Sequence, residues 1–325
     1  MLNYIIRRSL YGLLILVGVN LLTFVLFFAI NTPDDMARIN IGGKRVSQDA
    51  IEKWKIEHGY NKPLLWNKDV PSTEKLTNTI FFERSVQLFA LDFGASDSGR
   101  DIRYELGKRM APSLALALPT FVLGLFAVIA YALLMVFFRS TYLDFWGFSL
   151  AVVLMSISAL FYILMGQYFF SKLLKLVPIS GYESGADSLV FLALPVCIGL
   201  ISRLGGEAIF YRTIFLEEIS KDYVRTARAK GLSEPVVLFK HVLRNALLPI
   251  LTSTVAVLPL LFLGALLMES FFGIPGLGSY TIDAINAQDF AVVRVMVFVG
   301  SALYIVGLIL TDISYSIADP RIRLR

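Results

Sequence analysis

The stretch PSLALALPTFVLGLFAVIAYALLMVFF, residues 112–138, contains 27 consecutive residues without a charged side chain. An α-helix of this length reaches about 40 Å, more than the roughly 30 Å hydrocarbon layer of a bilayer. Five further apolar runs of spanning length lie at residues 10–30, 143–170, 189–211, 248–268 and 291–317. The sequence therefore predicts an all-α polytopic membrane protein with about six transmembrane helices.

The composition of the whole chain agrees with this fold class. Of its 325 residues 56% are hydrophobic, and the mean hydropathy is +0.68, which is more apolar surface than a water-soluble fold can hide. A single cysteine, Cys197, excludes an internal disulfide. His58 and His241 lie too far apart in sequence to suggest a local metal motif. Redox and zinc chemistry are therefore not expected.

The basic residues predict the orientation in the membrane. If Arg7 and Arg8 are cytoplasmic, the expected inner stretches together hold 13 Lys and Arg residues, whereas the short outer loops hold only Lys172 and Lys175. The inner stretches include residues 212–244 and the tail with Arg321, Arg323 and Arg325. This asymmetry follows the positive-inside rule. We expect a multi-pass protein of the bacterial inner membrane with both termini in the cytoplasm, and we interpret the basic charge as topology rather than nucleic-acid binding.

The long polar stretch after the first span is expected to fold outside the membrane. Residues 31–109 hold 13 Lys and Arg against 12 Asp and Glu, and Trp54, Trp66 and Phe81-Phe82 can supply a small core. Since long domains cross the membrane largely regardless of charge, the stretch is compatible with the orientation above. The expected division is an anchor helix at 1–30, an extracytoplasmic region at 31–111, a five-helix core at 112–317 that includes a cytoplasmic loop at 212–247, and a cytoplasmic tail at 318–325.

The cytoplasmic loop has the pattern helix, turn, helix. Gly231 can adopt the left-handed conformation that ends a helix, and we expect the first helix to end near Lys230. Ser233 can cap a second helix that runs on toward Pro249, with Glu234 in its first turn. The turn between the helices, residues 229–234, is called the knuckle below. From this pattern alone, an amphipathic loop lying on the anionic inner leaflet is an equally good interpretation.

Several motifs then resemble one family in the same order along the chain. RTARAKGLSE, residues 225–234, followed by LRNALLP is similar to the cytoplasmic coupling loop of permease subunits in ABC importers of the dipeptide and oligopeptide family. The other matching elements are YNKPL at 60–64, DFGASDSGRDIRYELGKRMAPSLALALP at 92–119, VPISGY at 177–182, FFGIPGLGSYTIDAI at 271–285, QDFAVV at 288–293 and the closing DPRIR. The resemblance covers nearly the whole chain.

The resemblance implies the type I ABC importer permease fold, with a loop that docks in a groove of a separate ATPase. It implies coupling roles for Arg225, Ala227, Arg228, Ala229, Lys230, Gly231, Leu232, Ser233 and Glu234. Ala227 and Ala229 would allow close approach to the ATPase, and Arg225, Arg228 and Lys230 would pair with its acidic groups. The implied partners are a second, homologous but different permease, two ABC ATPases that carry ATP and Mg, an extracytoplasmic substrate-binding protein and lipid. This chain itself is expected to bind no cofactor or nucleic acid and to catalyse no reaction.

Two departures from the family pattern affect what can be carried over. The older signature of such loops begins Glu-Ala-Ala, whereas residues 225–227 read Arg-Thr-Ala, closer to the peptide-transporter variant. This difference favours peptides over sugars as the substrate. In the outer loop the family commonly has Arg-Asp-Tyr-Pro, but residues 288–291 read Gln-Asp-Phe-Ala, so no role of that arginine is transferred.

Charges inside apolar runs are the candidates for the translocation path. Arg203 and Glu207 lie four residues apart on one helical face and can contact the two termini of a peptide, or only pair near the inner interface. Glu269 and Arg294 are expected at the membrane interface. Gly199, Gly205, Gly206 and Gly264 are expected to allow close helix packing. The loop FFGIPGLGSY lacks the Gly-Lys-Ser/Thr ending of a phosphate-binding loop and is expected to cap or re-enter the outer mouth.

Two other classes of function remain as alternatives. A self-sufficient secondary transporter or channel would be expected to carry more ionisable residues within its spans and an internal repeat. A membrane enzyme would need an active site in residues 31–109, where His58 is the one acid–base candidate, and a surface histidine is the simpler interpretation of that residue.

Overall fold

The computed structural model describes residues 2–42, 46–68, 70–71, 74–183, 185 and 187–318. Within these residues the chain is helical, apart from loops and one isolated β-bridge between Ala95 and Asp101. The predicted tail residues Arg321, Arg323 and Arg325, and the closing DPRIR element, lie outside this part of the chain.

The helices follow the order of the apolar runs. They are α1 Leu2–Ile30, α2 Pro33–Ile41, α3 Gln48–Glu57, α4 Ile102–Phe137, α5 Tyr142–Ser156, α6 Ala159–Gly166, α7 Ser188–Ile219, α8 Asp222–Ala229, α9 Glu234–Val236, α10 Leu243–Val257, α11 Leu266–Phe272, α12 Leu277–Asn286 and α13 Phe290–Ala318. Three π-helical segments lie at Phe82–Val86, Gln167–Leu173 and Val237–Val242, and two 3₁₀ segments at Gln87–Ala90 and Leu258–Leu263.

Five helical stretches of the described residues are long and apolar enough to cross a membrane: Tyr4–Phe28, Ile102–Phe137, Ser188–Ile219, Glu234–Leu263 and Phe290–Ser314. A sixth span results if α5 and the helix after it, which meet at 90°, are counted together. The predicted all-α polytopic fold is confirmed. The predicted third span, residues 143–170, is thus a bent pair of helices and not one straight helix.

The break between α5 and α6 has a local cause. Ile157 is extended, with φ −89° and ψ 131°, and the hydroxyl of Ser158 accepts a hydrogen bond from the Phe161 N–H, which starts a new helix. The hydroxyl of Tyr162 donates to the Leu154 carbonyl oxygen at 2.9 Å. Because a free carbonyl is costly in an apolar environment, this bond helps to stabilise the bend.

The predicted fifth span also has different bounds. Residues 248–268 are not one helix. Instead one helical stretch runs over Glu234–Leu263 and contains α9, the π-helical segment Val237–Val242, α10 and the 3₁₀ segment Leu258–Leu263. Pro249 lies within α10. The stretch ends before Gly264, where φ is +76°. The second helix of the cytoplasmic loop and the following span are therefore one element.

The chain divides into two compact units, Met1–Arg109 with Tyr280–Ile305, and Met110–Ser279 with Val306–Arg325. In the first unit, Phe24 and Phe28 of α1 share a core with Trp54 and Tyr60. Phe81 packs against this core, as predicted, but the side chain of Trp66 is 52% exposed. The prediction that Trp66 belongs to the core is wrong.

In the second unit, the main core joins α4 and α7 to the helices of the cytoplasmic loop. Its buried members are Val128, Ala132, Leu133, Met135, Val136, Ala208, Tyr211, Phe215, Ile219, Val224, Ala227, Val237, Leu238, Val242, Ala246 and Ile250. A second core joins Leu116 and Ile163 to residues of α7 and to Phe272 and Ile274.

Candidate coupling surface and translocation path

The knuckle adopts the predicted turn. α8 ends at Ala229, and Gly231 has φ +80°, the left-handed region in which glycine is favoured. The N–H of Gly231 donates to the Arg228 carbonyl oxygen at 2.9 Å and that of Leu232 to the Ala227 carbonyl oxygen at 3.4 Å. Ser233 occupies the N-cap position of α9, but its side chain makes no capping hydrogen bond. The predicted helix end is confirmed, whereas the predicted capping by the Ser233 hydroxyl is wrong.

One side of the knuckle is packed into the main core of the second unit. Val224 and Val237 are 0% exposed, Leu238 is 1% exposed and Ala227 is 5% exposed. Ala227 therefore contacts this chain's own core and does not present its methyl group to a partner. Because the same core contains residues of α4 and α7, the knuckle is fixed to two long helices.

Glu234 links the knuckle to the end of α4 through two arginines. One carboxylate receives two hydrogen bonds from Arg228, Nε to Oε2 at 3.1 Å and Nη2 to Oε1 at 2.9 Å. Arg139 Nη1 donates to Oε1 at 3.0 Å. This paired geometry is the stronger form of the arginine–carboxylate contact. Arg228, expected to pair with a partner, is thus already paired within the chain.

The other side of the knuckle faces outward. Ala229, Lys230, Gly231, Leu232 and Ser233 are exposed. On α8 the Arg225 side chain is 76% exposed and lies 3.3 Å from Asp222. This apolar and basic tip is the surface that remains free to meet another protein.

Arg203 and Glu207 form the predicted pair on α7, with Nη2 and Oε1 2.6 Å apart. Both side chains are partly exposed and line a cavity of about 160 Å³ together with Tyr211, Ser253 and Thr254. Two opposite charges and three hydroxyl-bearing side chains in an otherwise apolar wall can bind the charged and polar groups of a small solute.

A second cavity, of about 270 Å³, also has Arg203 in its wall. It is lined mainly by apolar residues of α4, α7 and the 3₁₀ segment, and it extends to Gly264 and Met268. Arg203 therefore borders both cavities, which makes it the central polar residue of the candidate path.

The predicted close packing at glycines is only partly confirmed. A Cβ at Gly205 would clash with the Ala151 carbonyl oxygen of α5, and one at Gly199 would meet Thr120 Cγ2 at 2.7 Å. A Cβ at Gly206 would meet nothing within 4 Å, so the prediction for Gly206 is wrong.

The glycine-rich loop after α11 encloses a carboxylate of this chain. Glu269 is 0% exposed, and its oxygens accept hydrogen bonds from the Ser113 hydroxyl at 2.7 Å and from the N–H groups of Ala265 and Ser279 at 3.0 Å each. Burial raises the pKa of Glu269, and the donated hydrogen bonds act in the opposite direction. A Cβ at Gly276 would clash with this carboxylate, so the absence of a side chain there makes room for it.

Glu269 and Arg294, which were expected at the membrane interface, are both buried within the protein. Arg294 is only 5% exposed, in the first unit. Ser113, whose hydroxyl contacts Glu269, lies 156 residues away along the chain, so nothing near Glu269 in sequence announces its burial. The feature of the sequence that comes closest to indicating the burial of Glu269 is the glycine-rich loop that follows this residue.

The sequence matches known membrane transport proteins over its whole length. Residues 109–324 match the family described as "Binding-protein-dependent transport system inner membrane component", and residues 1–86 match the N-terminal region of such components. A putative peptide transport system permease protein of Brucella abortus (strain 2308) is 32% identical, with 98% of each chain covered. A putative peptide permease protein of Brucella suis biovar 1 is 30% identical over 100% of both chains. The oligopeptide transport system permease protein of Bacillus subtilis (strain 168) is 30% identical over 98% of both.

The fold and these matches define a membrane-embedded transport subunit. The chain belongs to the family of binding-protein-dependent transport system inner membrane components. It is a permease subunit of an ABC importer and a multi-pass membrane protein. Membership of this family implies a separate ATPase and a substrate-binding protein, and it sets aside the alternatives of a self-sufficient transporter and of an enzyme in residues 31–109.

Proposed function

We propose that this chain forms half of a translocation path for peptides, and that its cytoplasmic loop, residues 212–247, couples the path to separate ATPase subunits. The names of the relatives support a peptide substrate. A zwitterionic peptide carries a charge of each sign, and the pair Arg203–Glu207 offers a partner for each.

The observation that carries the coupling proposal is the two-sided knuckle. Its tip, residues 229–233, is exposed, while Val224 and Val237 beside it are fully buried in the core that contains α4 and α7. A push on the tip by a partner would therefore move two long helices as a body. Arg225 and Lys230 are the basic groups that would meet acidic groups on that partner.

The proposed assembly has a second, homologous but different permease, two ATPase subunits that bind and hydrolyse ATP with Mg, and an extracytoplasmic binding protein. Both termini lie in the cytoplasm, and residues 31–111 lie on the outer side. The chain itself binds no cofactor.

The test changes Gly231 in the reconstituted importer. Proline cannot adopt a positive φ, so Gly231→Pro disturbs the knuckle, whereas asparagine tolerates this region and Gly231→Asn preserves it. We expect Gly231→Pro to abolish uptake of a labelled dipeptide with the protein still in the membrane, and Gly231→Asn to retain most of it. ATP hydrolysis stimulated by the binding protein should fall with uptake.

Two outcomes contradict separate parts of the proposal. Normal uptake and normal ATPase binding by Gly231→Pro would exclude the coupling role. ATP hydrolysis that no peptide stimulates in the unmodified importer would exclude peptides as the substrate and leave coupling intact.

A further inference from the structure

The first unit contains a polar cavity of about 180 Å³ that the transport path does not use. Its floor is formed by Leu88, Ala291 and Arg294, which are 4%, 4% and 5% exposed. Asp92 and Gly94 are exposed at its mouth, where an Asp92 oxygen accepts a hydrogen bond from the Gly94 N–H at 3.2 Å. A charged side chain therefore lies at the bottom of an open pocket.

Arg294 has an unused donor at this position. Its Nε donates to the Phe290 carbonyl oxygen at 3.3 Å, and its guanidinium carbon lies 5.5 Å from the centroid of the Phe28 ring. Its Nη1 is buried and donates to no oxygen of the described residues. Because a buried cationic donor without an acceptor is costly, Arg294 holds hydrogen-bonding capacity that the described residues do not use.

The two carboxylates that act electrostatically on Arg294 are engaged by other donors. Asp289 Oδ1 accepts hydrogen bonds from the N–H groups of Asp97 and Val292, each at 3.2 Å. Asp97 Oδ1 accepts one from the Tyr60 hydroxyl at 3.3 Å. Neither aspartate makes an ion pair with Arg294 in the described structure, although both are near enough to affect its charge electrostatically.

A second arginine lines the wall of the cavity in a fixed orientation. Arg84 Nη2 donates to the His58 carbonyl oxygen at 2.5 Å, and its guanidinium lies 5.0 Å from the Tyr60 ring centroid. The acidic wall residue Glu83 is paired with Lys62. Apart from Asp92 at the mouth, the lining charges without an ion-pair partner among the described residues are therefore the two arginines.

We propose that this cavity binds the carboxylate group of a small organic anion, which faces the guanidinium groups of Arg294 and Arg84. A planar guanidinium matches a carboxylate in shape and charge. Drug-sized ligands occupy pockets of about 300–1,000 Å³, so the occupant of this cavity is smaller. The site is independent of the identity of the transported solute.

The test measures binding of propionate to the full chain in lipid nanodiscs by ligand-observed NMR, with propionamide as the uncharged probe of equal size. We expect propionate to bind and propionamide not to bind. Arg294→Gln should weaken propionate binding by about tenfold or more, because a positive charge that faces the carboxylate is lost. Arg103→Gln, at an exposed arginine of the same unit, is the matched control and should bind normally.

A second variant separates binding from folding. Ala291→Leu fills the floor of the cavity and leaves both arginines in place, so it should also abolish propionate binding. Thermal unfolding of each sample shows whether the variant is folded. Equal binding of propionate and propionamide, no propionate binding by the unmodified chain, or unchanged binding by folded Ala291→Leu would each overturn the proposal.

Discussion

At the scale of single residues, the carboxylate of Glu234 binds two arginines, Arg228 and Arg139. All three side chains are about one-third exposed. Partly exposed ion pairs each contribute only about 0.2–1 kcal/mol to stability. Their value here lies in geometry, since they fix the knuckle to the end of α4.

We therefore expect Glu234→Gln to reduce uptake several-fold while the amount of protein in the membrane stays the same. The amide keeps the shape of the side chain but removes the charge that attracts both arginines. Uptake by the reconstituted importer and immunodetection in membranes measure the two quantities. Glu217→Gln is the control, because Glu217 forms an exposed pair with Lys221 at 3.7 Å. Equal uptake by the two variants would exclude a role for the Glu234 contacts.

The pair Arg203–Glu207 allows a test that separates a structural role from contact with the solute. Arg203→Gln leaves Glu207 without its partner and should lower uptake in either case. In the double variant Arg203→Gln with Glu207→Gln no unpaired charge remains. We expect uptake to stay low in the double variant, because a peptide then meets no charge on this wall.

Recovery of uptake in that double variant would show that Arg203 and Glu207 only neutralise each other and do not contact the solute. The same assay with an N-acetylated or amidated peptide then identifies which terminus contacts which side chain.

Burial of individual charges was the part of the site that the sequence did not reveal. Arg203 and Glu207 lie four residues apart, so helical geometry alone predicted their contact. Glu269 and Arg294 depend on groups far away in sequence, such as Ser113 and Phe28. A pattern of neighbouring residues contains no information on such contacts.

At the scale of elements, α5 and α7 pack closely because Gly205 has no side chain. We expect Gly205→Ala to destabilise the protein by about 1–3 kcal/mol, the usual cost of overpacking, since the new methyl group would clash with the Ala151 carbonyl oxygen. Gly206→Ala is the adjacent control. Its new methyl group would have no atom within 4 Å. The substitution should therefore be neutral or stabilise the protein by up to about 1 kcal/mol.

Thermal unfolding in detergent compares these two alanine variants. Equal melting temperatures would contradict the close contact between α5 and α7.

Helix positions were predictable and helix breaks were not. The length and apolarity of the runs indicated which segments form membrane-spanning helices, because a helix must be both long enough and apolar enough to cross the bilayer. The bend at Ile157 lies within residues 148–165, which contain neither glycine nor proline, so composition gave no sign of it. The continuity from Glu234 to Leu263 was hidden because Pro249 is normally unfavourable inside a helix.

At the scale of the whole molecule, the orientation in the membrane decides whether the knuckle can meet an ATPase. In a Cys197→Ser background, a membrane-impermeant maleimide should label Ser233→Cys only in inside-out vesicles. It should label Trp66→Cys, at a side chain that is 52% exposed, only in right-side-out vesicles. Labelling of Ser233→Cys from the outer side would be incompatible with the proposed coupling.

The π-helical segment Val237–Val242 separates the knuckle from α10. A π-turn accommodates about one residue more than an α-turn. If these six residues closed to α geometry, everything after them would rotate by about 100° and shift by about 1.5 Å along the axis. Ser253 and Thr254, which border the smaller of the two path cavities, would then point elsewhere. A change of winding next to the ATPase-facing turn is thus sufficient to alter which hydroxyl groups a passing solute encounters.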